Sequence, residues 1–219
     1  MAHRTRRRSS AVVSAVLLSS LALSACGGES EEDAQKKEEK KASANVSDPL
    51  AITYDGGIYV LDGETLDVAG DVPLKGYNRV NPAGDDRHIM VSTSEGFRVL
   101  DTARQKMKDT KFEGAEPGHV VLHGGKTVLF TDGTGETRIL DSDAFSDEDP
   151  EAETYKSPSP HHGVSIELEN GELVTTLGTA QKRKGIVVLD KDRKEITRNE
   201  KCPEVHGEAA AKGEAVVVG

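Results

Sequence analysis

Four stretches of this chain end in the same way, and that repeat constrains the fold more than any other feature. They are Ile58-Tyr59-Val60-Leu61-Asp62, Phe97-Arg98-Val99-Leu100-Asp101, Thr137-Arg138-Ile139-Leu140-Asp141 and Ile186-Val187-Val188-Leu189-Asp190. Each is rich in β-branched and apolar residues and stops at an aspartate able to start a turn. The aspartates are 39, 40 and 49 residues apart (101−62, 141−101, 190−141). A second apolar run precedes each: Ala51–Tyr54, His88–Val91, Thr127–Phe130 and Glu172–Thr175. Glycine-bearing turns join the two runs, as at Asp55-Gly56-Gly57, Ser94-Glu95-Gly96 and Asp132-Gly133-Thr134-Gly135. The extra length of the last repeat is read partly into a polar insertion at Ala180–Lys184.

A period of about 40 residues built from short strands and hairpin turns predicts the blades of a β-propeller, each a four-stranded antiparallel sheet. A β-sandwich is the competing architecture, but it has no reason to repeat a whole hairpin with its flanks. Thr65–Val68 and Lys194–Thr197 are the candidate outer strands. Glu214–Gly219 reads as the second strand of a fifth blade. The expectation is therefore all-β: about four blades and part of a fifth, the first part of a longer propeller, spanning residues 47–219.

The N-terminal segment answers to different physics. Arg4, Arg6, Arg7 and Arg8 precede an apolar run from Ala11 to Leu23, which ends in Leu23-Ser24-Ala25-Cys26-Gly27. The run is short for a spanning helix, which needs about 20 apolar residues. Its cationic start and small residues are those of a secretory signal. A cysteine directly after the small residues resembles the lipobox of bacterial lipoproteins. That resemblance implies cleavage after residue 25, a lipid on Cys26, and anchoring to the outer face of the cell membrane. Residues 26–46 then form a charged tether, Glu29 to Lys41 having almost nothing apolar to offset ordering entropy.

Removing residues 1–25 takes away four arginines and no acid, so the formal charge moves from −10 to −14 (−10 − 4). A chain this acidic lacks the basic footprint of nucleic-acid binding.

Histidines recur in phase with the blades. Counting back 22 residues from Asp141 gives His119. The same count from Asp190, allowing about six inserted residues, gives His162, and His206 opens the next blade. From Asp101 the count lands on Arg79. In a propeller such positions converge on the central channel, and converging neutral imidazoles suit zinc or copper. Satisfied hydrogen-bonding histidines are the competing reading. His161, Glu208 and Cys202 are possible additional ligands or supporting partners. For Cys202 an oxidising compartment instead favours a disulfide, whose partner would lie beyond residue 219. His123, before Gly124-Gly125, is placed on a turn away from the axis, and His88 is read as structural.

Pro117-Gly118-His119-Val120-Val121, His161-His162-Gly163-Val164 and Cys202-Pro203-Glu204-Val205-His206-Gly207-Glu208-Ala209 resemble the zinc metallochaperones of Azt-type ABC zinc importers. The resemblance implies an extracytoplasmic propeller, zinc as cargo, His119, His162 and His206 as ligands, and delivery to the importer's solute-binding protein. No hydrolase or phosphate-binding motif is present, so a non-enzyme is expected. A metal-free surface interaction module and a metal-dependent hydrolase with Glu208 as base are the alternatives.

Overall fold

The computed structural model describes Val46 and residues 48–219; the signal segment, Cys26 and most of the charged tether lie outside the described residues. Among the described residues, five antiparallel sheets follow one another along the chain. The first holds β1 (Leu50–Tyr54), β2 (Gly57–Leu61) and β3 (Val68–Pro73). The second holds β4 (Arg79–Pro82), β5 (His88–Thr93), β6 (Gly96–Asp101) and β7 (Lys106–Glu113). The third holds β8 (Pro117–His123), β9 (Lys126–Thr131), β10 (Glu136–Asp141) and β11 (Glu153–Lys156). The fourth holds β12 (Ser165–Glu167), β13 (Leu173–Thr179), β14 (Lys182–Leu189) and β15 (Glu195–Asn199), and β16 (Glu208–Ala211) pairs with β17 (Ala215–Val218) in the fifth.

The repeated sequence ending is β2 in the first sheet and the third strand (β6, β10 and β14) in the next three, and the physical role of its aspartate is visible. Asp62 Oδ1 accepts the backbone N–H groups of Glu64 and Thr65. Asp101 Oδ1 accepts that of Arg104, and Asp190 Oδ1 those of Asp192 and Lys194. Such Asx turns satisfy backbone donors left over as the strand ends. Asp141 departs from the pattern: it takes the Lys126 ammonium at 2.6 Å, and the chain continues into a 3-10 turn at Ala144–Ser146 that buries Phe145.

Two strand assignments read from the sequence are corrected. Thr65–Asp67 is turn, with Leu66 at φ 62°, and the outer strand begins at Val68. Lys182–Lys184 is not a loop insertion but the start of β14, paired with the end of β13 across a bulge between Leu177 and Gly178.

The sheets stack because the central strands are apolar on both faces. On β6, Phe97 and Val99 enter a core with Leu129 and Leu140 of blade three, while Leu100 faces Ile58 and Val60 of blade one. The next seam joins Val121, Val128 and Ile139 to Val164, Ile166 and Leu173. Apolar area removed from water on both faces, at about 25 cal/mol per Å², makes each blade depend on its neighbours. Strand β12 packs against β8 and β9, and β8 against β5, so the first strands of blades three and four gather beside each other, against blade two. That gathering positions the site.

Candidate metal centre

His119 lies on β8, His162 in the segment leading into β12, and His206 in the segment leading into β16. Sequence separations of 43 (162−119) and 44 (206−162) residues collapse to ring-centroid distances of 5.4 Å between His119 and His162 and 5.2 Å between His162 and His206. His119 and His206 stand 6.4 Å apart. Imidazoles sharing one tetrahedral zinc through nitrogens at about 2.0–2.1 Å have centroids about 5 Å apart. Two of the three separations already match, and the third is wider. Among the described residues no three side chains are closed to bonding distance around one point. A single ion shared by the three rings would require them to move closer together.

The hydrogen bonds decide which nitrogen each ring offers. His119 Nδ1 donates to the Gly163 carbonyl at 2.9 Å, and His206 Nδ1 donates to the Glu204 carbonyl at 2.9 Å. His162 Nδ1 donates to Asp132 Oδ2 at 2.5 Å. All three acceptors are oxygens without a proton to give, so each Nδ1 carries hydrogen and each neutral ring keeps its lone pair on Nε2. This is the arrangement that orients metal-binding imidazoles. Burial holds His119 below the ordinary imidazole value, aided by His162 and Arg79 and opposed by its bond to Gly163 and by Asp132. This favours the neutral ring at neutral pH. His162 and His206 are exposed, leaving the site open to solvent on that side.

Two glycines make room for these partners. A methyl group on Gly118 would meet Asp132 Oδ1 at 2.2 Å, and one on Gly163 would meet Thr176 Oγ1 at 2.1 Å. Each flanks a site histidine, and each admits a polar group that a side chain would displace. Asp132 escaped the sequence reading because Asp132-Gly133 looks like turn chemistry alone. Its carboxylate, largely buried, also accepts the Gly163 N–H at 3.3 Å and so spans blades three and four. Changing Asp132 to Ala should weaken zinc binding roughly 10- to 100-fold, as loss of an outer-shell partner does elsewhere. Competition against a metallochromic dye measures this; unchanged affinity would reduce the Asp132 contact to packing.

The remaining candidates are placed elsewhere or differently occupied. His161 is buried with both nitrogens engaged, Nδ1 by the Ser159 carbonyl and Nε2 by Thr176 Oγ1. Glu208, its carboxyl raised by burial, lines the seam between blades four and five with Val164, Ile166 and Val218, a seam lined by none of the three histidines. Cys202 is half-buried in the segment before β16 and unpaired among the described residues. His88 is buried against Asp85, and His123 binds Glu214 at the opposite end of β8 from Pro117.

No family model matches the chain. The zinc chaperone AztD of Citrobacter koseri is 29% identical over 115 residues, which are 51% of this chain and 27% of that protein. The chain resembles AztD over half its length. Two AztD structures from Citrobacter koseri, one of them apo, superpose with TM-scores of 0.67 and 0.66 at 20% identity. Each superposition covers 78% of this chain and 51% of AztD. Kluyveromyces lactis Hsv2 superposes at 0.57 with 12% identity, covering 78% of this chain and 55% of its own. These likenesses establish the fold: the five sheets are β-propeller blades, and the chain spans about half of AztD's length.

Proposed function

We propose that this protein is an extracytoplasmic zinc metallochaperone, held at the outer face of the membrane by a lipid on Cys26 and delivering zinc to the solute-binding protein of an ABC importer. The observation that carries the reading is the convergence of His119, His162 and His206, each with Nδ1 tied to an oxygen and Nε2 left as a ligand. The AztD resemblance supports zinc as the metal. Three neutral histidines leave a fourth position available, through which an incoming ligand can take the ion. The exposure of His162 and His206 gives a partner access to that position.

The role is carriage without turnover, with zinc as cargo. Zinc-loaded chain mixed with an apo importer solute-binding protein should pass its metal on faster than it loses metal to an excess of diffusible chelator. Separation of the two proteins and metal analysis of each reads the outcome. Transfer no faster than spontaneous release would reject handover and leave only a zinc-binding protein.

A further inference from the structure

Buried polar atoms without a partner are concentrated in one place. Of the five such side-chain atoms among the described residues, four belong to the first hairpin of blade two and the segment leading into it: Asn78 Oδ1, Arg79 Nε, Asn81 Nδ2 and Ser92 Oγ. Arg79 pairs with Ser92 across β4 and β5, and Asn81 with Met90, so Arg79, Asn81, Ser92 and Met90 share one face. Met90 lies in the core formed with Leu129 and Leu140, which identifies that face as the one turned to blade three. Blade three carries His119. Arg79 itself holds, 22 residues before Asp101, the repeat position that His119 holds before Asp141.

Three of these orphan atoms can donate: a guanidinium N–H, an amide N–H and a hydroxyl. Leaving buried donors unpaired is costly, so three on one face mark a place for an acceptor. Water would satisfy a neutral pair. A guanidinium next to a site for a dication selects an anion, and its planar fork suits a carboxylate. A divalent ion on three neutral imidazoles keeps its full charge and one open position, which the same carboxylate can fill.

We propose that Arg79, with Asn81 and Ser92, forms a carboxylate subsite beside the three histidines, and that the metal is carried with this carboxylate as its fourth ligand. The inference rests on the histidine reading above. The carboxylate is either a free small anion or an aspartate or glutamate side chain of a protein that receives the metal.

The test uses the whole chain, purified in detergent and loaded with cobalt(II), whose d–d bands report its ligands. Acetate represents a free carboxylate, and a short capped peptide with one aspartate represents a side chain; both are titrated at constant ionic strength. The bands should shift and saturate with at least one of them, and Arg79→Gln should raise the concentration needed about tenfold or more. A response to the peptide at lower concentration than acetate points to a protein source, the reverse to a free anion. Cobalt bound with no anion response in the wild type, or with an identical response in Arg79→Gln, overturns the subsite while leaving the histidines in place. No cobalt bound overturns the histidine reading and the subsite with it. Should Arg79→Gln lose its thermal transition, Ser92→Ala replaces it, with a weaker anion response expected and an unchanged one counting against the subsite.

Discussion

After chelation and reloading, the purified chain should carry about one zinc, and the variant His119→Ala, His162→Ala, His206→Ala should carry none. Each single change should cost more than the roughly 10- to 100-fold expected for loss of an outer-shell partner, because it removes a bonding nitrogen. The three are not interchangeable. His119 is half-buried on a strand, fixed by the Gly163 carbonyl of the neighbouring blade, and contributes preorganisation. His162 and His206 sit in segments between strands and are exposed, so they are free to move closer and narrow the wider 6.4 Å gap. His161→Ala is the control: with both its nitrogens bound inside blade four, it should alter stability before stoichiometry. Metal analysis by mass spectrometry, alongside circular dichroism to show retained fold, reads all of these. A folded wild-type chain without metal would reject the chaperone reading.

Replacing Phe130 by alanine should cost about 3–5 kcal/mol, the usual range for emptying a large aromatic site. That is a large share of the roughly 5–15 kcal/mol by which domains are stable. Phe130 is 1% exposed, and its ring meets the edge of His161 with centroids 5.3 Å apart at 62°. His161 in turn holds Ser159 and Thr176, and Thr176 accepts the Val164 N–H directly after the His162-Gly163 pair. The cavity would therefore loosen the segment that presents His162, and zinc affinity should fall together with stability. Phe130→Leu, which keeps most of the volume, should cost far less on both counts. Urea denaturation of the wild type and both variants gives the stabilities. A loss below about 1 kcal/mol for Phe130→Ala would mean that the surroundings collapse into the space.

The blade count and the phase of the histidines were legible in the chain itself. Hairpin repetition is a local property: β-branched runs, turn glycines and an aspartate able to cap its own turn all act within a few residues. The structure shows Asp62, Asp101 and Asp190 acting in that way. Boundaries were less legible. Thr65-Leu66-Asp67 alternates like a strand, yet the turn set by Asp62 claims those residues first. Ala180–Lys184 looks like a polar loop because β14 begins with residues that mostly face water.

What the sequence could not assign is which histidine offers which nitrogen, and to what. His161 and His162 are adjacent and chemically identical, but one turns into its own blade and the other toward Asp132 of the preceding blade. The partners of the three site histidines are two backbone carbonyls and one turn aspartate, groups with no sequence signature of their own. Arg79 was visible only as a break in the histidine pattern; its uncompensated donor emerged once β4 was paired with β5 in the folded blade. Periodicity is set by local chemistry and can be read along the chain. The geometry of His119 and His162 is set by contacts between blades, 44 and 30 residues apart in sequence, and only the tertiary structure brings those contacts together.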